Sequence, residues 1–117
     1  TMDVAVAMRG INDEISHLWM VRTFLKHCEE AEEDPELRAI PRAIYDYCLA
    51  LGPPWKRQDA AAFVKTARKK FTKLRRAAEE YADIQPDVSM HTNFAMAAQS
   101  LALSVQAVGK LLEDADP

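Results

Sequence analysis

Four ionisable side chains, those of Glu14, Arg22, His27 and His91, have positions that suit chemistry or ligand binding. Glu14 and His17 form a Glu-x-x-His pair, which places a carboxylate and an imidazole on one helix face, as in di-iron carboxylate bundles. Such bundles need a second copy of the pair and two more inward-facing glutamates, which this chain lacks. The spacing therefore favours a structural His17, at the edge of the core or on the surface, over a metal ligand.

Arg22 falls near the centre of an apolar helical stripe, where leucine or isoleucine is expected. Because an unpaired buried charge is very costly, its guanidinium must be paired or must extend to water. The predicted partners are Glu14 on the same helix and Asn93 or Ser104 on the last helix. Without such a partner, the arginine lies at a dimer interface or reaches solvent over Trp19, and we favour this over a ligand-binding role.

Arg22 and His27 also have the spacing R-x4-H. This spacing resembles the motif of the HEPN class of helical RNA-cleaving domains, in which it belongs to a late helix and acts in a dimer. The resemblance covers these two residues, and here they lie on the first helix. It implies, as an alternative interpretation, an RNA-processing domain with Arg22 and His27 in its site.

A further candidate constellation combines His27, His91 and a carboxylate such as Glu30, since two histidines and a carboxylate can hold zinc or iron. The three histidines of the chain stand in separate contexts, so solvated imidazoles are the favoured interpretation, and no metal or cofactor is predicted. The chain also has no glycine-rich phosphate loop and no nucleophile elbow. These patterns favour a binding or structural protein over an enzyme.

Hydrophobic periodicity predicts the first two helices. The first covers residues 11–33, and residues 1–10 either extend it or lead loosely into it. Asp34 is a good N-cap for the second helix, with Pro35 at its first position. We expect this helix to be short, broken or kinked at Pro41, and ended by Gly52 and the two prolines that follow.

The third helix is predicted from Gln58 or Asp59 to Asp83, and the segment DIQPDVS is predicted as a loop. Ser89 or Thr92 is expected to cap a fourth helix that reaches about residue 113. Its apolar stripe is Met90, Phe94, Ala97, Leu101, Val105, Val108 and Leu112. Residues 114–117 are expected to be a mobile tail.

Four amphipathic helices with short loops predict an all-α, antiparallel, up-down-up-down four-helix bundle. A chain of 117 residues with 49% apolar residues can bury one core without metal or disulfide support, so residues 1–117 form one domain. In this topology the end of the first helix and the start of the fourth share a pole. We therefore expect His27, His91 and the acidic run 29–36 to meet there, with Arg75 and Arg76 neutralising part of the run.

Basic residues concentrate on the third helix, since nine of the fifteen lie between residues 56 and 76. One face carries Lys65, Arg68, Lys69, Lys73 and Arg76. Charged helix faces usually only balance an acidic patch, but five cations can also contact the phosphates of nucleic acid or anionic lipid. Because the whole chain has a net charge of −3, nucleic acid is an alternative partner and not the favoured one.

The chain has no run of about 18 apolar residues that would predict a membrane span, and its opening lacks the apolar centre of a secretion signal. Cys28 and Cys48 lie in helical patterns without ligand spacing and are interpreted as reduced thiols, so we expect a cytoplasmic protein. Apolar residues off the predicted core stripes indicate contact surfaces, and these are Trp19, Met20, Phe24 and Trp55.

The sequence thus favours a small non-catalytic interaction or regulatory protein that acts as a homodimer or with a protein partner and without a membrane. Two alternatives stay open. The first is a nucleic-acid-binding or HEPN-like domain that uses the basic segment 56–76 with Arg22 and His27. The second is a bundle that binds a metal or small ligand through Glu14, Arg22, His27 and His91.

Overall fold

The computed structural model describes all 117 residues, and they form four long helices. These are α1 (Val4–His27), α2 (Pro35–Lys56), α3 (Ala60–Val88) and α4 (Thr92–Asp114), with a short 3-10 turn at Glu29–Ala31. Each helix packs against the next in the chain, and α4 returns to pack against α1. This arrangement confirms the all-α four-helix bundle.

One apolar core fills the bundle, and α1 contacts all three of the other helices around it. The largest fully buried side chains are Tyr81, Phe63, Ile11, Leu18, Leu25, Leu37, Ile40, Ile44, Leu74 and Leu101. Six of the seven predicted stripe residues of the fourth helix are buried. The exception is Met90, which is 83% exposed because it precedes α4 and does not lie within it.

Helix α4 is long and apolar enough to cross a membrane by length and composition alone. The core helix of a bundle passes the same test. Seven residues of α4 are buried, and the helix packs against both α1 and α3. Its apolar character is therefore explained by its place in the core.

Helix α1 begins at Val4. Most of residues 1–10 therefore extend the first helix and do not form a loose lead-in. The Asp3 carboxylate caps the helix by accepting the Ala5 N–H at 2.9 Å. Gly10 lies inside the helix, where a Cβ atom would come within 3.0 Å of the Leu111 Cδ1 atom of α4. The glycine permits this close approach of α1 and α4, which offsets its cost of about 1 kcal/mol in a helix interior.

Helix α2 begins as predicted, with Asp34 accepting the Leu37 N–H at 3.0 Å and Pro35 at the first position. Of the predicted features, the break at Pro41 and the end at Gly52 are wrong, because α2 continues through both residues and ends at Lys56. Each internal proline removes one backbone donor. Pro41 is buried against the core, as is Pro54 after Gly52, so packing outweighs the lost hydrogen bonds.

A single tight turn reverses the chain between α2 and α3. Gln58 has a φ of 54°, the left-handed conformation that ends many helices. The N–H groups of Gln58 and Asp59 donate to the Trp55 and Pro54 carbonyls at 3.0 and 2.9 Å, which is the Schellman pattern. Asp59 then caps α3 by accepting the Ala62 N–H at 3.1 Å. Consecutive residues therefore end one helix and begin the next.

The predicted loop DIQPDVS is also wrong, since α3 continues to Val88 with Pro86 in its last turn. A proline so close to the end removes only one hydrogen bond from a largely exposed segment, at little cost. The Ser89 N–H donates to the Gln85 carbonyl at 3.1 Å, and the Gln85 side-chain amide donates back to the Ser89 carbonyl at 2.9 Å. These two bonds close the helix after the proline.

The two ends of the chain pair with each other. The Met2 N–H donates to the Asp114 carbonyl at 2.6 Å, and the Asp116 N–H donates to the Met2 carbonyl at 2.8 Å. Ala115, between them, is buried. Residues 114–117, which we expected to be mobile, thus make specific backbone contacts as far as Asp116.

Arg68 of α3 holds the same end of α4. Its guanidinium donates to the carbonyls of Leu112, Ala115 and Asp116 at 3.0, 2.8 and 3.2 Å. The last carbonyls of a helix lack partners within it, and a cation there also complements the helix dipole. Arg68 is therefore a structural cap for α4.

Two buried tyrosines link neighbouring helices. The Tyr47 hydroxyl of α2 donates to the Ala67 carbonyl of α3, and the Tyr81 hydroxyl of α3 donates to the Phe94 carbonyl of α4, each at 3.0 Å. Burial raises the pKa of Tyr81 from 10.0 to about 12 and that of Cys48 from 9.0 to about 11. Because the folded protein holds these groups in their neutral forms, the free energy of unfolding decreases at alkaline pH.

Arg68→Gln should lower the free energy of unfolding by about 1 kcal/mol, because three carbonyls lose a charged donor. Lys69→Gln is the matched control, because Lys69 is exposed and has no hydrogen bond or ion pair, so its loss should change stability by less than about 0.5 kcal/mol. Urea denaturation followed by circular dichroism measures both. Equal effects of the two substitutions would show that Arg68 does not cap α4.

Stability should fall as the pH rises from about 9 to about 12. The unfolded chain releases the Cys48 and Tyr81 protons at their ordinary pKa values, whereas the folded chain retains them, so rising pH favours unfolding. Denaturation at a series of pH values measures the slope. Tyr81→Phe should reduce this slope between about pH 10 and 12, and a slope equal to that of the unsubstituted chain would contradict the assignment.

Candidate functional site

Arg22 lies half-buried at the seam between α1 and α2. Its guanidinium carbon is 4.4 Å from the centre of the Trp19 ring and 5.0 Å from that of Tyr45. The two ring centres are 5.9 Å apart, so the guanidinium contacts two neighbouring aromatic rings. Arg22 therefore extends over Trp19, which is one of the arrangements that the sequence predicted.

None of the predicted partners binds Arg22. The Ser104 hydroxyl instead donates to the Glu14 Oε1 atom at 2.7 Å, which joins α1 to α4. Glu14 therefore faces α4, whereas Arg22 faces α2. Glu14 and Arg22, two of the four predicted ligand-binding residues, therefore do not share a pocket, because α1 directs them toward different neighbouring helices.

A cleft of about 370 Å³ lies beside Arg22 between α1 and α2, and four of its six lining residues are cations. They are Arg22, Lys26, Arg38 and Arg42, with Pro41 and Tyr45 completing the wall. No carboxylate lines this cleft. We call it the basic cleft.

The cations of the basic cleft have few partners within the protein. Arg42 forms an exposed ion pair with Asp46, with 3.2 Å between Nε and Oδ1. One nitrogen of Arg38, Nη1, donates to the Ala31 and Glu32 carbonyls at 3.2 and 2.7 Å. Arg22 and Lys26 form no hydrogen bond or ion pair with any other residue. Arg42 is therefore the only one of the four cations in an ion pair, and the cleft concentrates positive charge.

Helical spacing builds the basic cleft. Arg22 and Lys26 are four residues apart on α1, and Arg38 and Arg42 are four residues apart on α2, so each pair lies on one helix face. The antiparallel packing of α1 and α2 brings the two faces together. The sequence signal, two like-charged pairs at this spacing in consecutive helices, was present but was not recognised.

The candidate metal constellation does not assemble, since no group of three His, Cys, Asp or Glu side chains is placed to hold a metal ion. His91 caps α4, its Nδ1 atom accepting the Asn93 N–H at 3.0 Å, so the cap is neither Ser89 nor Thr92. His27 is the exposed last residue of α1 and does not line the basic cleft with Arg22. The two residues of the R-x4-H spacing therefore do not share this cavity.

Arg75 and Arg76 do not reach the acidic run. The Arg75 Nε atom pairs with the Glu79 Oε1 atom on its own helix at 3.5 Å, and Arg76 forms no ion pair. Because α3 continues to Val88, Arg76 lies twelve residues, or about 18 Å, before the pole that the run occupies. The predicted neutralisation failed because the third helix is longer than predicted.

The basic face of α3 differs from its prediction in one member. All five residues are exposed, but the Arg68 guanidinium is engaged in capping α4. Lys69 and Lys73 line a shallow cleft of about 530 Å³ against α2. Four of the five predicted nucleic-acid contacts therefore have no hydrogen bond or ion pair within the protein.

Another cleft, of about 600 Å³, lies between α3 and α4. It opens where Gly109 faces Phe71, and a Cβ atom on Gly109 would lie 3.0 Å from the end of that ring. Two of its charged residues, Arg75 and Lys110, are paired with carboxylates on their own helices, at 3.5 and 3.2 Å. It therefore offers less unpaired charge for recognition than the smaller basic cleft.

Large apolar side chains are exposed on the side of the bundle formed by α1 and α4. Met20, Met96 and Leu103 are 66%, 53% and 56% exposed. They line two adjoining shallow clefts that share His17 and Ser100. We call this surface the α1–α4 face and define it by these five residues.

The four residues that the sequence placed on contact surfaces lie in three different environments. Phe24 packs edge-to-face on Phe94 with ring centres 5.0 Å apart, and Trp55 packs on Phe63 at 6.2 Å. These two aromatic residues extend the core. Of the others, Trp19 lies in the stack at Arg22, and Met20 belongs to the α1–α4 face. Met96 and Leu103 were missed, because both occur in a helix whose composition is apolar around much of its circumference.

Comparisons with protein-family models, curated proteins and solved structures give no match to this chain. The fold and surfaces therefore define its class: an all-α four-helix bundle with a basic cleft on one side and an apolar face on another.

The stack at Arg22 should contribute measurable coupling. Arg22→Gln and Trp19→Leu, made singly and together, should show a coupling of about 0.5–1 kcal/mol in the free energy of unfolding, because a guanidinium over a partly exposed indole is stabilised by the ring. Chemical denaturation of the four proteins gives this value. Additive single effects would mean that the contact does not stabilise the fold.

Proposed function

We propose that the protein is a non-catalytic interaction module that self-associates into a homodimer through the α1–α4 face. The observation that carries this proposal is the exposure of Met20, Met96 and Leu103 on one side of the bundle. Contiguous exposed apolar surface marks interaction sites in folded proteins, and methionine is enriched at interfaces. Burying these side chains against a second copy would remove them from water.

The carboxylate beside this surface already has a partner within the protein. Glu14, the charged residue beside it, already accepts a hydrogen bond from Ser104 at 2.7 Å. Ser100 lies between Met96 and Leu103 along α4, and Ala107 lies one turn after Leu103, so these small side chains leave room for a neighbouring helix. By contrast, the α2–α3 side presents Lys69, Lys70 and Lys73, whose self-contact would bring like charges together. The charge distribution therefore favours the α1–α4 face.

A two-fold dimer suits the shape of this surface. Homodimers with two-fold symmetry use the same patch on both copies, so each apolar residue can be covered without a second complementary surface. The bundle measures 41 by 23 by 19 Å between Cα atoms. One long side is thus of the order of 800 Å², the area that each partner of a stable interface typically buries.

The proposed setting is the cytoplasm. Cys28 and Cys48 are both free thiols and both half-buried. Free cysteines of this kind persist in reducing compartments. This supports an intracellular interaction module.

Size-exclusion chromatography with light scattering tests the proposal. The unsubstituted chain should have the mass of two chains, and Met96→Glu or Leu103→Glu should give the mass of one, because a carboxylate in the interface would be desolvated without a partner. Leu49→Glu is the matched control, since Leu49 is 60% exposed on α2 and away from the face. A one-chain mass at high concentration for the unsubstituted protein would refute the proposal.

A further inference from the structure

We propose that the basic cleft binds a compact phosphate-containing ligand. The cleft is formed by Arg22 and Lys26 of α1 with Arg38 and Arg42 of α2. It lies on a different side of α1 from the α1–α4 face, so this inference goes beyond the interaction function and does not depend on it.

The four cations that line the basic cleft favour the binding of an anion. Like charges four residues apart on a helix destabilise it by roughly 0.2–0.5 kcal/mol per pair, and here two such pairs face the same cleft. The internal compensation is the ion pair between Arg42 and Asp46, and exposed pairs of this kind contribute little. No carboxylate lines the cleft itself. A ligand with two or more negative charges would relieve repulsion that the chain leaves in place.

Two of the guanidinium groups are held in position before any ligand arrives. Arg22 contacts the Trp19 and Tyr45 rings at 4.4 and 5.0 Å, and Arg38 donates from Nη1 to two backbone carbonyls. The Nε and Nη2 atoms of Arg38 and all three nitrogens of Arg22 have no partner in the protein. Because restrained side chains lose less conformational entropy on binding, these arginines are preorganised for a ligand.

The donors present match phosphate better than a single carboxylate. Planar guanidinium groups bind phosphate oxygens through paired hydrogen bonds, and Lys26 adds a mobile point charge. At pH 7 a phosphate monoester carries a charge of about −1.5 to −2 and pyrophosphate carries more, each with several acceptor oxygens, whereas a carboxylate carries one charge. A cleft of about 370 Å³ accommodates a compact group of this kind. Phosphate is therefore the chemistry that the cleft recognises.

The experiment uses the full chain and pyrophosphate as the probe. Two-dimensional NMR follows the Trp19 indole N–H and the Arg22 Nε–H signals, with circular dichroism confirming that every variant is folded. We expect saturable shifts at these signals. The double variant Lys26→Gln/Arg42→Gln should weaken binding by about tenfold or more, the change in affinity that corresponds to about 1.4 kcal/mol.

The matched control is Lys56→Gln/Arg57→Gln, which also removes one lysine and one arginine. Both residues are exposed and without side-chain partners, and Arg57 lies fifteen residues, or about 22 Å along the helix, from Arg42. This control should change pyrophosphate binding by less than about twofold, as expected for screened charges at that distance. Equal weakening by both double variants, or no saturable binding, would overturn the proposal.

Two further probes identify the source of the phosphate. A short single-stranded RNA and vesicles containing phosphatidylglycerol are tested against the same two double variants. Tighter binding than pyrophosphate, lost in the cleft variant, would assign the cleft to that source. RNA or vesicle binding that is insensitive to the cleft variant, together with no pyrophosphate binding, would overturn the proposal. Leu103→Glu should retain pyrophosphate binding, so failure of the dimer and failure of the cleft are separate results.

Discussion

The packing of α1 against all three other helices is the constraint on which the rest of the structure depends. A helix surrounded in this way must direct each polar side chain into a seam between neighbours or into water, because an unpaired charge in the core is very costly. Arg22 occupies the seam with α2, where aromatic rings cover its guanidinium. Glu14 occupies the seam with α4, where Ser104 satisfies it. The chemistry of each side of the bundle follows from this separation.

The separation gives two surfaces that suit different ligands. The α1–α2 seam gathers cations and aromatic rings, which favour an anion, and the α1–α4 side gathers methionine and leucine, which favour another apolar surface. A charged side chain also has a specific structural role where the two chain ends meet. Arg68, which by sequence is one of five similar cations, caps the last turn of α4 and so supports the closure of the chain ends. Residue type alone does not reveal such a role, because guanidinium groups serve carbonyls and phosphates equally well.

The sequence predicted the core more successfully than the helix ends. Apolar spacing placed Phe94, Leu101 and Val108 correctly, because burial of a periodic stripe is the main stabilising force for an amphipathic helix. A local capping signal also identified the start of the second helix at Asp34. Proline rules failed inside α2 and near the end of α3. Those rules describe the cost in backbone hydrogen bonds, and the packing that compensates for it is absent from local sequence.

The sequence by itself determined the helical class, the number of long helices and most of the buried stripe, since these depend on periodicity along one chain. Only the tertiary structure decided which helix Arg22 faces, that His27 and His91 stay apart, and that Met96 and Leu103 remain exposed. Each of these facts depends on how helices distant in sequence are placed side by side. Periodicity fixes the direction of a side chain on its own helix, but the neighbour it meets depends on the packing of the whole bundle.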